Sequence, residues 1–174
     1  MNIYSYLTKA RISPADKFHA LKTIARREQI WARLTGKNTS LATLPKQAPH
    51  KCHRREFIGM KDIPVEQIVG TLESQSSFDH EFRPLKNSLQ DKWVNAYRSL
   101  ENGRWAPVLV HRIGNKYYVE DGHHRVSVAR LLGKASIQAK IWEYPVHNTR
   151  SMHCLPAHSA ERSSTKTCAI PGQN

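Results

Sequence analysis

The run from Tyr117 to Gly133 constrains this 174-residue chain most, because it prescribes a strand, a sharp turn and a helix in immediate succession. Tyr117, Tyr118 and Val119 are aromatic and β-branched, which suits a pleated, half-buried strand. Gly122 stands where the chain must turn. Val126, Val128, Ala129, Leu131 and Leu132 then give a short apolar helix, with Gly133 placed to stop it. A strand that turns through glycine into a helix leaves open backbone N–H groups and the positive end of the helix dipole at the turn, a ready anion site. Asp121, His123, His124 and Arg125 crowd that same point. The plain structural alternative is that this polar cluster only caps the helix.

Each side chain suggests a chemistry. Arg125, in the first helical turn, is placed to fork onto a phosphate, with a salt bridge to Glu120 or Asp121 as the structural alternative. His123 and His124 can donate to phosphate oxygens or exchange protons near neutral pH. Neighbours on a helix cannot face the same way, so one is expected toward the ligand and one in the packing. Asp121 is a candidate to hold magnesium, to orient a histidine or to cap the helix.

Asp121-Gly122-His123-His124-Arg125 resembles the ParB/sulfiredoxin superfamily, in the ParB-like branch related to free serine kinases. Ile63-Pro64-Val65-Glu66-Gln67-Ile68 looks like that family's opening strand and turn. Phe78-Asp79-His80-Glu81-Phe82-Arg83-Pro84 resembles a segment of bacterial ParB-like proteins. The resemblance spans roughly Phe57 to Tyr144. It implies an α+β fold, a small mixed β-sheet with packed helices, and a nucleotide (ADP, ATP or CTP, with magnesium) held by Asp121, Gly122, His123, His124 and Arg125. By the same resemblance Arg83 joins the phosphate pocket, with a surface pair to Asp79 or Glu81 as the alternative.

The resemblance also excludes activities. Where sulfiredoxins carry a catalytic cysteine, this chain has His123, so sulfinic-acid reduction is not expected. Chromosome-partitioning ParB proteins follow the turn with a helix-turn-helix domain, for which the stretch after Tyr144 is too short. A phosphotransferase of the free serine kinase type would need a glutamate base. Glu66, Glu73 and Glu81 are candidates, and spacing selects none of them.

Charge divides the chain. Residues 1–55 hold 12 Lys and Arg against 2 Asp and Glu, residues 56–145 hold 12 against 11, and residues 146–174 hold 3 against 1. The expected division is a basic helical arm and linker (1–55), a nearly neutral domain (56–145) and a patternless polar tail (146–174). Such an arm attracts polyanions, nucleic acid foremost, through Lys22, Arg26, Arg27, Arg33, Arg54 and Arg55. Ser13-Pro14-Ala15-Asp16 starts a helix in this arm. Phe18, Leu21, Ile24, Ala25, Trp31 and Leu34 give it an apolar stripe expected to pack on the domain, and Gly36 ends it. Residues 37–55 show no periodicity and read as linker.

Further helical spacing covers Asn87 to Leu100, with Leu89, Trp93, Ala96, Tyr97 and Leu100 on a core face. Pro107 to His111 reads as a strand, Gly114-Asn115 as a hairpin turn, and Ile137 to Trp142 as a last, alternating strand. The sequence contains no run of eighteen apolar residues, so no membrane span is expected. Three cysteines without paired spacing favour the reducing cytoplasm.

Overall fold

A computed structural model describes residues 3–9, 11–44, 55–73 and 76–144. Arg54, the Lys51–His53 cluster and the tail from 145 onward lie outside the described residues. The long basic helix, α2 (Pro14–Thr35), starts as its sequence dictates: Ser13 is extended and its hydroxyl accepts from the Asp16 N–H at 3.1 Å. It ends at Gly36, whose left-handed backbone (φ 67°) lets its N–H reach the Ala32 carbonyl. A shorter helix, α1 (Ile3–Lys9), precedes it and carries too little periodicity to be read from sequence.

Six strands form one mixed sheet: β1 (Ala42–Thr43), β2 (Glu56–Pro64), β3 (Ile68–Thr71), β4 (Val108–Ile113), β5 (Lys116–Asp121) and β6 (Ser136–Glu143). Their spatial order is β1-β3-β5-β4-β6-β2. The β4–β5 and β2–β6 pairs are antiparallel, and the other three are parallel. Strict alternation in β6 turns Ile137, Ala139 and Ile141 inward, as predicted. The opening strand is longer than its sequence suggested. It begins at Glu56 because pairing with β6, not intrinsic pattern, holds its first half.

The stretch read as linker contributes β1, a correction to that reading. Ala42 and Thr43 pair with Gly70 and Thr71. Gly70 permits this close approach, since a Cβ there would lie 2.1 Å from the Ala42 carbonyl oxygen.

Two helices complete the fold, α3 (Gln90–Glu101) and α4 (His123–Leu131). Helix α4 is buried on two sides. Val126 and Ala129 meet the sheet with Ile63, Val110 and Ile141, while Val128 and Leu131 meet Leu7, Phe18, Leu21, Trp93 and Tyr97 from the other three helices. This explains why α4 is apolar around most of its circumference. Full burial of residues such as Phe18 and Trp93 contributes roughly 2–3 kcal/mol each, so the basic arm is anchored by core packing. Lys17 is drawn into that packing, its ammonium 2.8 Å from the Tyr97 hydroxyl.

The apolar stripe of α2 fits this expectation only as far as Ala25. Phe18, Leu21 and Ala25 are buried, whereas Trp31 and Leu34 are exposed. These two side chains lie off the buried face, which continues through Phe18, Leu21, Ala25 and Ala32. No helix among the described residues is long and apolar enough to cross a membrane.

Candidate functional site

The β5–α4 turn is built around Gly122, the N-cap of α4, at φ 107° and ψ 19°. A Cβ at this position would lie 2.7 Å from Val108 Cγ1 and 3.3 Å from the Arg125 guanidinium carbon. Glycine is therefore required both for its backbone and for its lack of a side chain. The first intrahelical bond runs from the Val126 N–H to the Gly122 carbonyl at 3.0 Å, and no side chain caps the helix. The amides of His123, His124 and Arg125 form the open donor end of α4.

The two histidines face different ways. His123 packs: it is 6% exposed, and its ring stacks between Phe78 and Phe82, with centroids at 5.9 and 6.2 Å. Burial pushes its pKa down to about 4, so the ring is neutral at physiological pH. His124 lines a cavity of about 300 Å³ with Asp121, Gly122, Arg125, Lys92 and Arg104. Its Nε2 is buried with no hydrogen-bond partner among the described residues. Burial, and after it the Lys92 charge, lowers its pKa.

Arg125 takes the structural alternative its sequence allowed. One guanidinium nitrogen donates to the Ala106 and Pro107 carbonyls at 2.7 and 2.8 Å, and the other to Asp121 Oδ2 at 2.6 Å. It thereby pins the strand entering β4 to the start of α4. Asp121, at 73% side-chain exposure, is the one carboxylate lining this cavity and holds Arg125 rather than capping the helix. The described residues contain no cluster of three metal-ligating side chains, so a magnesium here would draw most of its ligands from a nucleotide's phosphates and water. Glu120 points elsewhere, 2.5 Å from His111 Nε2 and 3.7 Å from Arg55.

Arg83 makes the pair with Asp79 that the sequence offered as its alternative. It is absent from the residues lining the cavity and 5% exposed, bonded to Asp79 at 2.7 Å and to Glu28 of α2. The whole 78–84 segment is a knot around Asp79. Asp79 Oδ1 accepts from the Glu81 and Arg83 N–H groups at 3.1 and 2.8 Å, and Phe82 takes a left-handed backbone (φ 59°) to close the loop. Its role is to clamp His123 beneath the turn and to tie α2 to the sheet layer.

The candidate bases are also elsewhere. Glu66 and Glu81 line a separate cavity with Arg130 and Lys134, at the far end of α4, and Glu73 is exposed. The nucleic-acid set divides as well. Arg26, Arg27 and Arg33 are exposed, Lys22 is bonded to Asn87, and Arg55 lies over the Trp142 ring of β6 at 4.7 Å. Sequence reasoning missed Lys92 and Arg104, because charged residues in a helix and a loop look like ordinary surface until the fold turns them toward Gly122.

The model of the ParB N-terminal domain matches residues 47–155. The chain belongs to this family. It is also similar to sulfiredoxin from Arabidopsis thaliana, at 22% identity over 47% of this chain and 82% of that one, with a TM-score of 0.32. No match was found among curated proteins.

Proposed function

We propose that this ParB-like protein binds a nucleotide through its phosphates at the open amide end of α4. The reading rests on one observation: an uncapped helix N-terminus opens onto a cavity bordered by Lys92, Arg104 and Arg125, with Asp121 as its one carboxylate. The family resemblance of the turn supports it. A volume of about 300 Å³ suits the phosphates and part of the sugar, leaving the base toward solvent. Asp121 would help hold a magnesium ion brought with ADP, ATP or CTP, and the ion would supply neutralisation of the phosphate charge. Neutral His124 would donate or accept one hydrogen bond at the pocket wall.

Arg125 starts occupied, so phosphate would compete with Asp121 for one edge of the guanidinium. The basic arm is the second part of the proposal: exposed Arg26, Arg27 and Arg33 would contact nucleic acid, in a salt-dependent manner. Transfer to a hydroxyl substrate finds no support in the candidate bases Glu66 and Glu81, which line the other cavity.

Calorimetry with ADP, ATP and CTP, with and without magnesium, tests the pocket. Arg104→Ala and Lys92→Ala truncate exposed side chains and should leave the fold intact while weakening binding several-fold each. Absence of binding by the folded intact chain would end the nucleotide reading.

A further inference from the structure

The outer surface of α2 between Arg26 and Leu34 is made of two neighbouring rows at helical i, i+4, i+7 spacing. One row is Arg26, Ile30 and Arg33, and the other is Arg27, Trp31 and Leu34. Trp31 is 63% exposed, Leu34 77% and Ile30 54%. This is not a loose helix end. Ala32, on the opposite side, is 4% exposed, and the Gly36 and Lys37 N–H groups both close onto its carbonyl. The indole and its aliphatic neighbours are therefore held rigidly outward among arginines.

Charge alone would serve any polyanion, but it does not account for the apolar groups. A second copy of this chain would bring six arginines together, which disfavours self-association through this face. A duplex offers phosphates on its surface and keeps its bases stacked on one another, so an exposed indole gains little from it. An unpaired base can lie flat on Trp31 while the flanking phosphates meet Arg27 and Arg33, with Leu34 and Ile30 shielding the ring edges.

We infer that the outer face of α2 is a single-strand nucleic-acid site in which Trp31 stacks a base between arginine-bound phosphates. This rests on the reading of the basic arm as a nucleic-acid contact and names the strand state that contact selects.

The test is fluorescence anisotropy of the intact chain with a labelled oligothymidylate and with a labelled mixed-sequence duplex, over a range of salt. Circular dichroism serves as the check that each variant folds. The single strand is expected to bind more tightly. Trp31→Ala should weaken it by about 5- to 150-fold, the range for one lost base stack, and leave duplex binding within about twofold. Trp31→Phe should recover much of the loss. Replacing Arg26, Arg27 and Arg33 together by Ala should weaken both nucleic acids and flatten the salt dependence of the single strand by roughly 2 in log–log slope.

Equal binding of both forms, unchanged in Trp31→Ala, would overturn the stacking site while leaving the nucleic-acid reading of the arm in place. No binding of either form by the folded chain would overturn both. If Trp31→Ala instead abolished binding to anionic phospholipid vesicles and left the oligonucleotide unaffected, the face would belong to a lipid surface and the inference would fall.

Discussion

His123 Nε2 lies 2.9 Å from the Thr71 hydroxyl, and that hydroxyl lies 3.2 Å from the Val119 carbonyl. A carbonyl can only accept, so the one hydroxyl hydrogen goes to Val119 and the imidazole must donate through Nε2–H. The tautomer of the residue beneath the β5–α4 turn is thereby set by β3 and β5. His124 is the histidine of the two that lines the cavity.

Stability should fall in acid through His123. Its folded pKa of about 4 lies below the ordinary 6.5, so between these values the unfolded chain takes up a proton that the native state refuses. The contribution is complete above pH 6.5 and lost as pH falls toward 4, reaching about 3 kcal/mol. His124, also lowered, acts in the same direction. Urea midpoints at pH 7.5 and 4.5 check this, and His123→Leu should show a flatter dependence. An identical pH dependence in that variant would refute the assignment.

Gly122→Ala should destabilise by about 2–4 kcal/mol, combining a left-handed backbone with a methyl 2.7 Å from Val108. Thermal unfolding reads the change. Pairing it with Val108→Ala, which opens the space, should recover part of the methyl clash but none of the backbone cost. A variant as stable as the parent would mean that the turn does not hold this conformation in solution.

Asp79 and Arg83 form a buried pair whose value lies in being complete. Burial pushes the Asp79 carboxyl up from its ordinary range, against the opposing pull of Arg83. Arg83→Met leaves that carboxylate without its cation and should cost about 3–5 kcal/mol. Asp79→Asn keeps Oδ1 as acceptor for the two loop N–H groups, so the double variant Asp79→Asn/Arg83→Met should be more stable than Arg83→Met alone. Denaturant titration of the three variants would expose additive losses, which would contradict the pairing.

Asp121→Asn removes the charge that holds one edge of Arg125. Nucleotide binding without magnesium is expected to tighten several-fold, because phosphate no longer displaces a carboxylate from Arg125. The enhancement of binding by magnesium should shrink. Calorimetry with and without the metal separates the two effects, and weaker binding under both conditions would deny Asp121 its place as competitor.

Much of the candidate site could be read directly because it is local. A strand, a glycine and an apolar helix within seventeen residues prescribe the turn, and adjacency alone required His123 and His124 to part. Ser13 and Gly36 likewise mark the ends of α2 through bonds that span only a few residues. The Asp79 partner of Arg83 was legible four residues away, whereas Glu28, its other partner, lies 55 residues away and was not. Trp31 was grouped with the apolar stripe, but it lies off the face that carries Phe18, Leu21, Ala25 and Ala32 and is exposed for that reason.

The sequence by itself determined α2, α3, α4 and the strands β4 to β6, the turn that opens the donor end of α4, and the concentration of positive charge before residue 56. These depend on backbone preferences and on bonds between near neighbours. Tertiary structure decided which charges were available. It paired Arg125 with Asp121 and Arg83 with Asp79 and Glu28, turned Lys92 and Arg104 toward Gly122, and left Trp31 among free arginines. The reason is that an ionic or apolar side chain acquires its role from whatever long-range packing brings within a few ångströms of it, and residue spacing along the chain does not encode that distance.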